Sequence, residues 1–300
     1  MYNARTTKGV KQLAAIASRN RRRIVDMVHK TGVGHVGGSL SVIDVLTALY
    51  ENEVNFESPQ RARLVLSKGH CTPALYAEFT EKGLIDEAEY DSFRQPDSKL
   101  QGHPCARYYP QIDATTGLLG QGLSSGFGMA MAKRTNGDPH MVYVIVGDGE
   151  LQEGQNWEAL MAIGHYKLHN LAVFIDRNHL SSAGKTDDNV TLEPLEDKLR
   201  AFNFSVLTID GHNMNDILKA IELAKSSAEK PYAIIANTIK GKGVSFMENN
   251  PAWHSKGIND EQYQIALEDL ARIGADLSCV DASLPREDAD ADRAFAAKEV

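Results

Sequence analysis

The sequence has little cysteine. Its 300 residues contain three, Cys71, Cys105 and Cys279, which lie far apart along the chain. Such a set is too small and too scattered for a disulfide framework or a cysteine-based zinc site. The composition therefore excludes disulfide-rich secreted domains and small zinc modules, and it predicts a protein of the reducing cytoplasm.

Long apolar runs and an excess of basic residues are also missing. No stretch approaches the roughly 20 apolar residues that cross a bilayer as a helix, and the N-terminus lacks the apolar core of a signal peptide. Lysine and arginine number 32 against 40 aspartates and glutamates, which gives a net charge of -8. A nucleic-acid surface needs a basic excess, so we expect neither nucleic acid nor a membrane as a partner. The basic cluster at 19–23 lies in a helical pattern and predicts a solvated or interface-facing surface.

The most informative stretch is residues 141–180, in which two short apolar runs flank an amphipathic segment. The runs, 141–146 and 171–175, are rich in β-branched residues and do not alternate with polar ones. This is typical of strands buried on both faces of a parallel sheet. Apolar residues recur at helical spacing over 152–167, which predicts a crossover helix between the two strands.

Polar residues follow both predicted strands. Gly147, Asp148 and Gly149 come directly after the first strand, and Asn178 follows the second. Because neighbouring parallel strands end at one edge of a sheet, we expect Asp148 and Asn178 to lie together. Their oxygens are hard ligands suited to Mg²⁺ or Ca²⁺, and the glycines let a bulky anion approach the backbone. The pattern indicates a metal-bridged diphosphate, although Gly-Asp-Gly taken alone is more typical of a tight turn.

Strands and helices alternate through the rest of the chain. Strands are predicted at 63–66, 204–210 and 232–239, and helices at 42–51, 72–82, 213–228 and 259–273, with others ending near 31 and 133. This alternation predicts an α/β fold, a three-layer sandwich with a mostly parallel sheet of at least five strands. The glycine-rich stretch 31–39 is expected to be a loop, followed by Ser41 and Asp44 in capping-box spacing.

Residues 1–275 are expected to form one domain, followed by an acidic, mobile tail over 276–300 that has few large apolar residues. Glycines at 120, 122 and 126 suggest a dinucleotide-binding fingerprint. That motif directly follows a buried strand, however, and residues 111–115 make a poor strand. A Rossmann-type dehydrogenase is therefore the minor alternative.

Gly-Asp-Gly followed after 28 intervening residues by Asn178 resembles the thiamine diphosphate signature, and the surrounding sequence up to about His254 is similar to transketolase. The resemblance implies the thiamine-diphosphate-binding fold. It also implies a Mg²⁺ site, with Ca²⁺ or Mn²⁺ as substitutes, formed by Asp148, Asn178 and the main-chain carbonyl of Leu180. The chain departs from the family at Arg177, where Asn or Asp is usual.

The resemblance implies four catalytic histidines from separate loops, His35, His70, His103 and His254. Histidine suits the movement of hydroxyl and carbonyl protons near neutral pH. Taken alone, a histidine in a glycine-rich loop is more typical of a solvated turn than of a catalytic residue. The Lys-Gly-Lys-Gly segment at 240–243 is as typical of a flexible surface turn as of an anion site. Cofactor contacts are implied at His70, Gly117, Leu118, Leu119, Gly147, Asp148, Gly149, Glu153, Asn178, Lys240 and His254.

Transketolases transfer a two-carbon ketol unit from a ketose phosphate to an aldose phosphate. In that family the cofactor lies between two α/β domains, and this chain resembles only the diphosphate-binding one. We therefore expect a second subunit with the pyrimidine-binding domain, in an α2β2 assembly. One alternative is the α subunit of a thiamine-diphosphate 2-oxo-acid dehydrogenase, which lacks the His35, 67–70 and 102–104 segments as a set. Another is a non-catalytic cofactor-binding partner or regulator.

Overall fold

The computed structural model describes residues 8–278. The helices are α1 (Val10–Thr31), α2 (Val36–Asn52), α3 (Thr72–Glu81), α4 (Gln121–Thr135), α5 (Gly154–His165), α6 (Thr186–Asn189), α7 (Leu195–Ala201), α8 (Met214–Ser226) and α9 (Asp260–Ser278). The strands are β1 (Arg63–Leu66), β2 (Val142–Gly147), β3 (Leu171–Arg177), β4 (Leu180–Ser181), β5 (Gly184–Lys185), β6 (Ser205–Asp210) and β7 (Tyr232–Asn237). Short 3₁₀ turns occur at Gly69–Cys71, Glu87–Ser92, Gly149–Gln152 and Pro251–Trp253.

Five strands form one parallel sheet in the order β1-β2-β3-β7-β6. The strands are apolar throughout because both faces of the sheet are covered. In β2, Tyr143 and Ile145 point into one core while Val144 and Val146 point into the other. Helices α1, α2, α3, α8 and α9 cover the first face, and α4, α5 and α7 cover the second. The predicted three-layer α/β sandwich with a parallel sheet is confirmed.

The strand order brings the site-bearing loops together. Strands β2 and β3 are neighbours, with Gly147 opposite Asp176, and β3 pairs next with β7, with Arg177 opposite Asn237. The segments that leave β1, β2, β3 and β7 therefore start from one edge of the sheet, which is the ligand side of an open α/β sheet.

The prediction that residues 31–39 form only a loop is wrong, because α2 already begins at Val36. Glycine lets this first turn approach a neighbouring segment closely: a Cβ on Gly37 would lie 2.7 Å from the Trp253 carbonyl oxygen. The predicted cap at Ser41 is wrong for the same reason. Ser41 lies inside the helix, and its hydroxyl donates to the Gly38 carbonyl at 3.0 Å and to Asp176 at 2.6 Å.

The basic cluster at 19–23 is more internal than predicted. Arg21 is buried and forms a two-pronged ion pair with Asp44, and Arg23 pairs with Glu81 and Glu87. Buried arginine is tolerated where its planar fork meets a carboxylate. Arg21 and Arg23 therefore fasten α1 to α2, to the end of α3 and to the segment after it, whereas Arg19 and Arg22 are exposed, as predicted for a solvated surface.

A two-stranded antiparallel hairpin, β4–β5, follows β3 and was not predicted. The last predicted helix is longer than expected, since α9 continues to Ser278. The predicted tail lies outside the described residues from 279 onward, and the domain boundary at 275 stays a prediction. Within residues 8–278, no helix is both long and apolar enough to cross a membrane.

Candidate active site

Four histidines from separate segments lie beside one another at the carboxyl edge of the sheet. The ring centroid of His35 is 5.1 Å from that of His70 and 5.3 Å from that of His254. The His70 and His254 centroids are 5.2 Å apart. His103 completes the group, 6.4 Å from His35. We call these four residues the histidine cluster.

Burial lowers the pKa of every member of the histidine cluster, and nearby cations add to the effect. The pKa of His35 falls to about 4 through burial and the charge of Arg94. The pKa of His254 falls to about 3 through burial and the charge of Lys240. The pKa of His70 is held well below its usual value. The rings are therefore neutral at physiological pH, able to accept protons and to donate one N–H each.

Lys240 is buried, with 2% of its surface exposed. Its ammonium nitrogen donates to the main-chain oxygens of Leu180 at 3.1 Å and Ser181 at 3.4 Å, and it lies 3.0 Å from Nδ1 of His254. Burial and the nearby charge of Lys68 lower the pKa of Lys240 to about 8. Its only described partners are neutral, so its charge is available to an anion.

Asp148 follows β2 and is held by two main-chain N–H groups. Gly149 donates to Oδ1 at 2.7 Å and His179 donates to Oδ2 at 2.5 Å. Burial and the neighbouring Asp176 carboxylate raise the pKa of Asp148, because they oppose its negative charge. A cation beside Asp148 would relieve this cost.

Asn178 has a fixed amide orientation. Its Nδ2 donates to Ser41 Oγ and to Asp176 Oδ2, both at 3.3 Å, whereas its Oδ1 accepts from the Leu180 N–H at 3.1 Å. The donors point into the protein and the oxygen points toward the segment that carries Leu180. An amide fixed in this way presents an oxygen, not an N–H, to a cation.

The predicted ligands therefore offer one carboxylate, one amide oxygen and one main-chain carbonyl beside the same cavity. These hard oxygens fit a Mg²⁺-type ion that completes its shell with phosphate oxygens and water. Within the described part of the chain, no three His, Cys, Asp or Glu side chains are grouped to hold a metal. A divalent ion here would depend on the amide and carbonyl oxygens of Asn178 and Leu180.

Sequence reasoning missed the ion pair beneath this site. Lys68, after β1, pairs with Asp176 at the end of β3, and both side chains are buried. Asp176 also accepts hydrogen bonds from Ser41 and Thr238. Burial opposes the charge of Lys68, but the Asp176 carboxylate outweighs it and raises the Lys68 pKa. One carboxylate thereby joins β3 to the segments after β1 and β7 and to α2.

Glu150 was also missed. Its Oε1 accepts from the Ser67 hydroxyl at 2.5 Å and from the Gly120 N–H at 3.0 Å, and its Oε2 accepts from the Gly147 N–H at 3.0 Å. The side chain thus ties three loops together. Neither Glu150 nor Asp176 has a local sequence signal, because their partners are distant in the chain.

A cavity of about 390 Å³ lies among these groups. The predicted residues that line it are His35, His70, Gly117, Leu119, Gly147, Asp148, Gly149, Asn178, Leu180, Lys240 and His254. Lys68, Glu150, Gln152 and Asn189 line it as well, without having been predicted as site residues.

Three predicted site residues lie outside the cavity lining. Leu118 is 80% exposed, and Glu153 occupies the N-cap position of α5. His103 packs beside Gly117: a Cβ on that glycine would lie 3.1 Å from the histidine ring. Gly117 has a φ of 156°, in the region that favours glycine.

The protein has an open parallel sheet whose carboxyl edge carries hard-oxygen donors, two buried ammonium groups and the histidine cluster. These features define an α/β protein of the cofactor-binding class. The donor set suits a phosphorylated ligand held through a divalent ion.

Comparison with known proteins gives the family. Residues 12–272 match the family model described as transketolase, thiamine diphosphate binding domain. A 6-deoxy-6-sulfo-D-fructose transketolase subunit of Clostridium sp. (strain MSTE9) is 45% identical over 85% of this chain and 94% of its own length. An apulose-4-phosphate transketolase subunit of Phocaeicola vulgatus is 40% identical over 87% of this chain and 95% of its own.

The solved transketolase of Campylobacter jejuni superposes with a TM-score of 0.79 at 30% identity, over 96% of this chain and 48% of that structure. This chain thus spans about half the length of the solved enzyme. The chain belongs to the transketolase family and carries its thiamine diphosphate-binding domain. The Rossmann and 2-oxo-acid dehydrogenase alternatives are set aside.

Proposed function

We propose that this chain is the diphosphate-binding subunit of a two-chain transketolase, which transfers a two-carbon ketol unit between sugars with thiamine diphosphate and Mg²⁺. The observation that carries the proposal is the grouping of Asp148, Asn178, Leu180 and Lys240 around one cavity beside the histidine cluster. Oxygen donors and a buried ammonium serve a metal-bridged diphosphate, and neutral histidines serve proton transfer.

In this proposal, the Asp148 carboxylate, the Asn178 amide oxygen and the Leu180 carbonyl hold Mg²⁺, with Ca²⁺ or Mn²⁺ as substitutes. Lys240 neutralises part of the diphosphate charge. The main chain of Gly147, Gly149 and 117–119 lies against the cofactor, where a side chain would obstruct close approach. Glu153 is proposed as a cofactor-side or interface contact.

When bound, thiamine diphosphate supplies the nucleophilic carbon for two-carbon transfer. The histidine cluster supplies the proton acceptors and donors around it. Because Lys240 donates to Nδ1 of His254, the neutral ring carries its proton on Nε2. That N–H is available to a sugar oxygen, while His35 and His103 accept or orient hydroxyl protons at the mouth of the site.

A second subunit with a pyrimidine-binding domain is proposed as the partner, in an α2β2 assembly and a cytoplasmic setting. Two similar proteins of matching length are named as transketolase subunits, which supports a divided enzyme. Large apolar side chains at Leu118 and Met161 are 80% and 57% exposed, which suits burial against another chain.

The substrate is proposed to be a ketose with an anionic group. The names of two relatives specify a sulfo sugar and a phosphate sugar. Arg94 supports an anionic substrate, because its charge reaches both His35 and His103 and lowers the pKa of each. Among the ion pairs within residues 8–278, none joins Arg94 to a carboxylate.

Isothermal titration of thiamine diphosphate tests the proposal, with the full chain alone and co-purified with its second subunit. We expect binding with Mg²⁺ present and at least about tenfold weaker binding with EDTA, which is about 1.4 kcal/mol. Thiamine monophosphate is the matched control ligand, because it lacks the second phosphate. Absence of binding in both protein forms, or affinity unchanged by EDTA, would contradict the proposal.

A further inference from the structure

Arg177 is the last residue of β3 and is buried, with 2% of its surface exposed. Its backbone is fixed in the sheet, where its carbonyl accepts from the Thr238 N–H at 3.1 Å. Its side chain runs beneath the hairpin segment, which we define as residues 178–193. The guanidinium is therefore enclosed between the sheet edge and a segment that lines the cavity.

The two terminal nitrogens of the guanidinium contact different parts of the protein. Nη1 lies 3.4 Å from Asp148 Oδ2 and donates to Thr186 Oγ1 at 3.0 Å. Nη2 donates to Glu193 Oε1 at 2.8 Å and lies 3.5 Å from Asp187 Oδ1. One planar group thus connects the carboxylate after β2 with three residues on the far side of the hairpin segment.

The hairpin segment supplies part of the cavity lining beside Asp148. It contributes Asn178, Leu180, Ser181 and Asn189 to the lining, and Leu180 also supplies the carbonyl expected to bind the ion. The two-residue strands β4 and β5 and the hydrogen bonds of Ser181 hold the tip of the segment together. The His179 N–H contacts Asp148 at the start of the segment, whereas the part from Thr186 to Glu193 is joined to Asp148 through Arg177.

We propose that Arg177 is a positioning residue for the divalent ion: it fixes the Asp148 carboxylate and the hairpin segment relative to each other, so that the oxygens of Asp148 and Leu180 form one site. The inference rests on the proposed function of this cavity. The guanidinium of arginine suits this role because it is planar and donates hydrogen bonds from both terminal nitrogens at fixed angles. A lysine ammonium on its flexible side chain does not reproduce this geometry.

Mn²⁺ affinity, measured by electron paramagnetic resonance with thiamine diphosphate present, tests the role. The full chain is used alone and co-purified with its second subunit. For Arg177→Lys we expect Mn²⁺ binding about 10- to 100-fold weaker than wild type, as for other groups that orient metal ligands. The matched control is Arg200→Lys, since Arg200 lies on nearby α7 and also pairs with two carboxylates, Glu196 and Asp197, but at the surface. It is expected to bind as wild type.

Thr186→Val is the second variant, because it preserves shape and removes only one hydrogen bond between the hairpin segment and Arg177. It is expected to weaken Mn²⁺ binding about 2- to 10-fold, the range for one hydrogen bond. If Arg177→Lys fails to fold, the Mn²⁺ affinity of Thr186→Val becomes the test of the role of Arg177. Failure of the wild type to bind Mn²⁺ with thiamine diphosphate would overturn the proposed function. Normal binding by the wild type and by every variant that folds would overturn the role of Arg177 alone.

Discussion

The ammonium nitrogen of Lys240 lies 3.0 Å from Nδ1 of His254, so a buried cation and a catalytic candidate share one hydrogen bond. The contact does two things. It adds a positive charge to the burial that already lowers the pKa of His254 and so helps to keep the ring neutral, and it directs the histidine proton to Nε2. The residue proposed to bind the diphosphate therefore also sets the tautomer of the residue proposed to face the sugar.

Replacement of Asp148 should abolish Mg²⁺-dependent cofactor binding without unfolding the chain. Asp148→Ala removes the only carboxylate among the three proposed ligands, and little apolar volume is lost. We expect thiamine diphosphate affinity in Mg²⁺ to fall to the level seen with EDTA, as measured by isothermal titration. Asp148→Asn keeps the shape and should bind more weakly than wild type. Wild-type affinity in Asp148→Ala would remove this residue from the metal site.

Replacement of a cluster histidine should separate binding from turnover. His103→Ala is expected to retain thiamine diphosphate binding, because this ring packs beside Gly117 and does not line the cavity. His254→Ala is expected to bind somewhat more weakly, since Lys240 loses a partner. Both should lower kcat for ketol transfer by about 100-fold or more, the range for general acid–base groups. His140→Ala is the control, because His140 precedes β2 and is not part of the histidine cluster. Full turnover in either cluster variant would exclude it from catalysis.

The affinity for thiamine diphosphate should fall as pH rises through about 8. Lys240 carries its charge below its lowered pKa of about 8 and loses it above that value. Diphosphate favours the charged form, so binding takes up a proton and the Kd rises about tenfold per pH unit above the pKa. Lys240→Arg keeps its charge throughout and should flatten the profile between about pH 7 and about pH 9. An unchanged slope in this variant would assign the pH dependence elsewhere.

Alanine substitutions at two glycines of α4 should change the free energy of unfolding in opposite directions. A Cβ on Gly126 would lie 2.3 Å from Val144 Cγ2, whereas Gly128 has open space. Gly126→Ala should destabilise the chain by about 1–3 kcal/mol through overpacking. Gly128→Ala should stabilise it by about 0.5–1 kcal/mol through helix propensity. Urea unfolding of the isolated chain measures both, and equal effects would contradict the described packing of α4 on the sheet.

Patterns confined to one element were readable from the sequence. The strands at 141–146 and 171–175 were predicted within two residues of β2 and β3, because burial on both faces leaves an apolar run. The start of α2 was missed because its glycines serve a tertiary contact with Trp253, which no local pattern shows.

The candidate site was predictable only in part. Asp148 and Asn178 follow strands, so the parallel-sheet rule places them together. Ser67 and Glu150 are 83 positions apart, and Lys68 and Asp176 are 108 apart. Their pairing depends on the strand order, which alternation alone does not specify. Arg177 appeared in the sequence only as a departure from the family, and its role follows from contacts that the fold creates.

Reconstitution of ketol transfer tests the two-chain account most directly. The full chain and its partner, the chain with the pyrimidine-binding domain, are purified separately and assayed singly and mixed. The assay contains a ketose phosphate donor, an aldose phosphate acceptor, thiamine diphosphate and Mg²⁺. We expect no transfer by either chain alone and transfer on mixing that disappears with Asp148→Ala. Robust transfer by this chain alone, or transfer by the mixture that survives Asp148→Ala, would contradict the account.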